Sequence, residues 1–165
     1  MSPAYHQSVG ADLYRRSLYT VCKRTAPMPD MTAFDAPSRE FCTVKRSATA
    51  TPQQAFVLLN DTQFVEAARV LAEKSMKQST TNNEARIRFA FRRLTARSPT
   101  PGELKLLLDL LHEQMDLFKA EAERVNKLIS VGDRKRDESL DPIELAAMTS
   151  VAQTIMNLDA TVWKR

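Results

Sequence analysis

Apolar side chains recur every three or four positions from residue 51 onward, whereas the first 50 residues show no such period. A 3.6-residue period held over many turns marks amphipathic helices. It predicts a short apolar helix over 52–59 and a turn at Asn60 and Asp61. A helix over 62–78 follows, with Phe64, Ala68, Leu71 and Ser75 on one face, then one over 84–96 that groups Ile87, Ala90, Phe91 and Leu94. The longest pattern, 101–130, carries Leu104, Leu107, Leu108, Leu111, Met115, Phe118, Ala122 and Val125. A last helix over 142–162 aligns Leu145, Met148, Ala152, Ile155 and Val162. The helix starts share one grammar: Thr51-Pro52-Gln53-Gln54, Thr100-Pro101-Gly102-Glu103 and Asp141-Pro142-Ile143-Glu144. An oxygen-bearing cap, proline at the first helical position and Gln or Glu at the third satisfy the free amides of a first turn. Thr81 with Glu84 predicts a fourth start of the same kind. The charged stretch 132–140 is a loop that would close 101–130 and 142–162 into a helical hairpin. Before residue 51, a short helix is expected over 11–20 and an extended, ordered loop over 26–50. No strand pattern appears beyond the short 41–44. The expectation is an all-α fold of four to five helices including a long C-terminal hairpin, with an extended N-terminal segment, 1–50, packing on the helical domain, 51–165.

Composition narrows the chemistry. Three glycines in 165 residues exclude Gly-rich phosphate loops and dinucleotide fingerprints. The net charge of +4 is unevenly spread: residues 1–50 carry 7 basic and 4 acidic side chains, 51–100 carry 8 and 4, and 101–165 carry 9 and 12. That bias is too diffuse for a dedicated nucleic-acid surface. The two cysteines, Cys22 and Cys42, show no metal-ligand or haem-attachment spacing, and neither do His6 and His112. The longest apolar run, 55–59, is far too short to span a bilayer, and the first residues lack the pattern of a signal peptide. No cofactor or metal site is expected in the chain.

Two groups of residues remain as candidate sites. Arg86, Arg93 and Arg97 share one edge of the 84–96 helix, where they would face solvent or meet an anionic ligand, an acidic partner or nucleic acid. The loop Phe34-Asp35-Ala36-Pro37-Ser38-Arg39-Glu40, followed by Cys42, Lys45 and Arg46, collects an acid, a thiol and bases. There Asp35 would accept backbone amides or hold Arg39 in a charge-assisted pair. A nucleophilic Cys42 would need a base, and neither histidine is near in sequence. The loop is then either pinned by its own polar side chains or part of an enzyme site. Asn60 is a further polar candidate, beside Asp61 in a turn.

The runs Tyr14-Arg15-Arg16-Ser17-Leu18-Tyr19, Lys23-Arg24-Thr25-Ala26-Pro27 and 34–46 are motif-like. So are 51–61, Phe64-Val65-Glu66-Ala67-Ala68, Glu144-Leu145-Ala146-Ala147 and Met156-Asn157-Leu158-Asp159. Together they resemble the C-terminal part of a planctomycete and verrucomicrobial family, the domain of unknown function numbered 1553. The residues matching that family's motifs include Arg15, Arg16, Asp35, Arg39, Cys42, Arg46, Pro52, Gln54, Asn60 and Glu66. The resemblance implies a piece of a longer, exported protein, periplasmic or at the cell surface, with upstream domains as partners. It also implies haem c in a separate cytochrome-c-like domain, and a role in envelope electron transfer or polysaccharide use. In such a compartment a pairing of Cys22 with Cys42 is chemically permitted. The expected function is a non-catalytic structural or interaction domain. The competing expectations are an enzyme module completed by an upstream half at the 35–46 loop, and binding of nucleic acid or an acidic partner through residues 86–97.

Overall fold

A computed structural model of the chain describes residues 6, 8, 10–23, 26–38 and 40–162. The chain forms two compact units, Met1–Gln54 and Ala55–Arg165. In the first, two 3-10 turns, Gly10–Tyr14 and Ser17–Tyr19, stand where a short helix was expected. Segments this short gain too few hydrogen bonds to offset helix nucleation, and the tighter turn prevails. One helical segment, α1 (Pro29–Ala33), interrupts the loop expected over 26–50, with proline at its first turn. Tyr14, Leu18, Tyr19, Phe41 and Val44 are exposed.

Helix α2 (Pro52–Asn60) runs from the first unit into the second, which continues with α3 (Thr62–Gln78), α4 (Asn83–Thr95) and α5 (Pro101–Ala120). After these come α6 (Ala122–Ile129), α7 (Pro142–Met156) and α8 (Asp159–Val162). Among the described residues there is no β-strand, and the fold is all-α. None of their helices is long and apolar enough to cross a membrane.

Helix α7 is the centre of the second unit. It packs against α3, α4, α5 and α6, and from residue 145 to 156 only Thr154 is exposed. A helix buried on nearly all sides carries apolar and small residues all round rather than one stripe. Here Leu145, Met148, Val151 and Ile155 alternate with Ala146, Ala147 and Ala152, whose size lets neighbours approach. Its buried Thr149 hydroxyl is satisfied by the Leu145 carbonyl at 2.7 Å. Around it close Ile87 and Phe91 of α4, Leu104, Leu107, Leu111 and Phe118 of α5, and Val125 and Ile129 of α6.

Several local expectations shift. The pattern over 101–130 is not one helix: the backbone leaves helical geometry at Glu121 (φ −128°, ψ 72°). Ala-Glu-Ala-Glu-Arg is a good helix-forming sequence, so local propensity does not break it. A continuous helix would run about 45 Å, far past the 15 residues of α7; with the break at Glu121, Val125 and Ile129 are buried in the core. The expected 142–162 helix likewise stops at Met156 and resumes as α8. The face of α3 that is fully covered holds Val65, Ala68, Ala72 and Met76, with Phe64 and Leu71 only half-buried at its side.

The caps divide in the same way. Thr100 and Glu103 form the reciprocal box, and Asp141 accepts the Glu144 amide at 2.8 Å. Glu103 also binds Arg97 at 2.6 and 2.8 Å. The Arg97 guanidinium, then the Thr100 amide and hydroxyl, hold the Glu103 carboxyl down to about 2. Helix α4 is capped by Asn82, not Thr81. The Thr51 hydroxyl has no hydrogen-bond partner, and the Gln54 side chain turns to the Thr49 carbonyl at 2.8 Å.

The α6–α7 connection is held from α3. Glu66, Arg69, Glu73 and Lys77 repeat at spacings of three and four, which aligns them on one side of the helix. Arg69 is fully buried, and Glu66 and Glu73 are each 6% exposed. Arg69 binds Glu73 at 2.6 Å and donates to the Arg134 carbonyl at 2.5 Å. Glu66 accepts the Arg134 amide at 3.1 Å, Glu73 the Asp137 amide at 3.4 Å, and Lys77 pairs with the Asp137 carboxylate. Gly132 lets the strap come this close: a Cβ there would lie 2.0 Å from Glu66 Oε2, and its φ of +95° already suits glycine.

Removing Arg69 alone (Arg69→Met) leaves Glu73 buried without its cation and is expected to cost about 3–5 kcal/mol. Replacing Arg69 and Glu73 together by Met is expected to cost less than the single change. Urea unfolding measures both; an unchanged midpoint for Arg69→Met would show that the pair holds nothing. The corner between α4 and α5 is expected to lose stability as pH falls from about 4.5 through about 2, because the Glu103 carboxyl is depressed in the folded state. Glu103→Gln should remove that acid-dependent part of the melting curve.

Candidate functional site

The loop after α1 gathers the polar residues that the sequence singles out. Helix α1 ends in a Schellman arrangement, with the Ala36 amide on the Met31 carbonyl at 2.9 Å and the Asp35 amide on Thr32 at 3.1 Å. Asp35 occupies the left-handed position, φ 57°, usually given to glycine and tolerated by aspartate. Its carboxylate accepts both the Thr49 amide (2.8 Å) and the Thr49 hydroxyl (2.8 and 2.9 Å). Arg46 donates Nε to the Asp35 carbonyl at 2.7 Å and a second N–H to the Phe34 carbonyl. Gln54 closes the chain of bonds on the Thr49 carbonyl. The Thr49 amide, then the Thr49 hydroxyl, and more weakly the Arg46 charge, hold the Asp35 carboxyl below the usual aspartate range.

Of the expected site residues, then, Asp35 and Arg46 come together, and their groups are taken up in closing the loop. Arg39 lies outside the described residues. Cys42 is exposed and Cys22 half-buried; both are free thiols, Cys22 Sγ lying 3.9 Å from Met31 Sδ. Asn60 is elsewhere, its side chain donating to the Phe56 carbonyl at 2.9 Å, while Asp61 caps α3. Among the described residues no three His, Cys, Asp or Glu side chains converge on a common point.

Arg86 does not face solvent. It is buried, and binds the Ser79 carbonyl (2.7 Å), the Thr80 carbonyl, Asn83 Oδ1 (2.9 Å) and Glu144 Oε2 (3.2 Å). It thereby fastens the α3–α4 turn to the first turn of α7. Arg97 is engaged with Glu103. Arg93 is exposed, its guanidinium 5.4 Å from the centre of the Phe89 ring. The residues that sequence reading passes over are Thr49 and, of the buried set on α3, Arg69 and Glu73, Glu66 being named there only as a residue that matches the family's motifs. The alternating charge of the latter at helical spacing was a visible signal, though such a pattern usually marks a solvated face. A hollow of about 450 Å³ lies where α5 and α6 meet α7, lined by Leu117, Phe118, Leu128, Arg124 and Lys127. Both cations have carboxylate neighbours, Glu121 and Glu123.

The Asp35 tie exists above the ordinary aspartate range and is lost as pH falls through the lowered value of the folded state. The Thr49 amide resonance is therefore expected to titrate with a midpoint below 3.8. A midpoint at or above that value would contradict the bond. Asp35→Gly relieves the left-handed backbone but removes the carboxylate, so Thr49 should lose its amide protection in that variant too.

No curated protein and no solved structure matches the chain. Residues 2–111 match the family described as PSD1: Protein of unknown function (DUF1553). That span includes the first unit, α2 to α4 and α5 as far as Leu111, and the runs at 144–147 and 156–159 lie beyond it. It covers well over half of the chain and holds the whole Asp35, Arg46, Thr49 and Gln54 cluster, so the chain belongs to the DUF1553 family of proteins of unknown function.

Proposed function

We propose that the chain is a non-catalytic helical domain whose role is structural, one module of a larger exported protein that meets its upstream domains and carries haem c elsewhere. The part in envelope electron transfer or polysaccharide use belongs, in this reading, to those other domains. One observation carries the structural role: the charged and amide side chains best placed for chemistry bind the backbone of the chain's own loops. Arg46 takes the Phe34 and Asp35 carbonyls, Asp35 the Thr49 amide, Arg69 the Arg134 carbonyl and Arg86 those of Ser79 and Thr80. A catalytic acid, base or nucleophile has to keep an atom free for the substrate.

The test belongs in the longer protein. Asp35→Ala and Arg46→Ala are expected to make residues 36–50 more susceptible to limited proteolysis, in step with any fall in electron transfer or polysaccharide turnover. Cys42→Ser is expected to change neither. Lost activity with unchanged proteolysis and melting temperature, in Asp35→Ala or in Cys42→Ser, would overturn the reading in favour of an enzyme module at this loop. An in-frame upstream Cys-x-x-Cys-His and export signal are expected in the gene; their absence would remove the exported, haem-bearing parent.

A further inference from the structure

Helix α4 carries five charged side chains beyond its caps, and their fates differ. Arg86 is buried and fully engaged. Arg88 pairs with Glu84 at 2.6 Å, both being about half exposed. Arg92 and Arg93 are exposed and have no carboxylate partner among the described residues. Together Ala85, Arg88, Phe89, Arg92 and Arg93 line a hollow of about 470 Å³ on the outer side of the helix.

The arrangement is a seam. Ala85 and Phe89, one turn apart and half-buried, make an apolar floor. At helical spacing Arg88 and Arg92 fall on one flank of that floor and Arg93 on the other. Like charges at i and i+4 repel, so Arg88 and Arg92 weaken an isolated helix. The helix dipole favours Arg92 and Arg93 in the last turn, but it gives no reason for an accessible phenylalanine between them. An apolar strip flanked by unpaired cations is complementary to an apolar strip flanked by carboxylates.

We propose that this face of α4 docks an acidic amphipathic helix of a partner protein, with an apolar side chain on Phe89 and Ala85 and carboxylates against Arg92 and Arg93. The inference goes beyond the structural role proposed above and names the chemistry of a partner. A peptide fits better than a nucleic acid. The helix that follows opens with Glu103, and residues 101–165 carry 9 basic against 12 acidic side chains, so the positive surface does not extend.

The experiment uses the full chain and a fluorescein-labelled helical peptide of about four turns, with Leu at seam positions and Glu on both flanks. The probes beside it are a scrambled isomer of the same composition and a single-stranded oligothymidylate. Anisotropy is expected to show peptide binding that weakens between about 50 mM and about 300 mM salt. Arg92→Glu with Arg93→Glu, and separately Phe89→Ala, should each lower the affinity about tenfold or more. Both arginines are exposed, so the double variant should still melt cooperatively, only a little lower for placing acids in the last turn; the charge-conserving Arg92→Lys with Arg93→Lys should retain most of the binding. No binding at about millimolar peptide, equal binding of the scrambled isomer, or tighter Arg92- and Arg93-dependent binding of the oligothymidylate would each overturn the proposal. None of these bears on Asp35 and Arg46, so failure here is distinguishable from failure of the structural role.

Discussion

The helical unit depends on a guanidinium that never meets water. Arg69 sits inside the chain with Glu66 and Glu73 beside it on α3, and the three grip a segment that has no regular structure. Burying an ion pair yields little stability by itself, because desolvation offsets much of the attraction. What it yields here is position. An irregular strap laid over a helix brings backbone N–H and C=O groups out of water, and each needs a partner. Glu66 and Glu73 accept two of those amides and Arg69 donates to a carbonyl between them, so the strap is held by its backbone as well as by the Asp137 carboxylate on Lys77. The strap ends at Asp141, the cap of α7, and α7 is the helix on which α3, α4, α5 and α6 all pack. Gly132 is the steric condition of the whole arrangement.

The same solution recurs in two other irregular segments. Arg46 and Asp35 tie the 34–49 loop by its carbonyls and an amide, and Arg86 ties the α3–α4 turn. Charged groups are well suited to this because hydrogen bonds to an ionised partner are roughly twice as strong as neutral ones. It also bears on what membership of the family means. The matched residues stop at Leu111, inside α5, yet Ile87, Phe91, Leu104 and Leu107 within that span are buried in a core whose other wall is α7. A segment cut at the family boundary would expose those side chains. The matched region therefore needs α7, or an equivalent helix, to close.

Much of this was legible in the sequence where the cause is local. The starts at Thr100 and Asp141 follow from capping chemistry contained in four residues, and the limits of α3 from the turn at Asn60 and Asp61 and the apolar period. Two of the larger departures have a non-local cause. The Glu121 break opposes local propensity and is settled by the burial of Val125 and Ile129, and the covered face of α3 is chosen by α7; Thr51 loses its expected role locally, to a bond between Gln54 and Thr49. The candidate site divides along the same line. Asp35 and Arg46 stood out as a charged loop, but Thr49, 14 residues from Asp35, had no pattern to mark it, because loop closure has no period. Arg86 and Arg93 occupy equivalent positions on a helical wheel, and only the packing of α7's first turn buries one and leaves the other exposed.

That last contrast locates where function can reside. The interior of the helical unit is apolar around α7, and the buried charges of α3 are aimed at the strap. In the first unit the Asp35 carboxylate and the Arg46 guanidinium are already committed. On α4 two exposed guanidinium groups without a carboxylate partner among the described residues border a half-buried aromatic ring. A cation beside partly accessible apolar surface adds charge where that surface favours association. The physical logic that assigns Arg69 and Arg86 to the fold leaves Arg92 and Arg93 free for the partner proposed above.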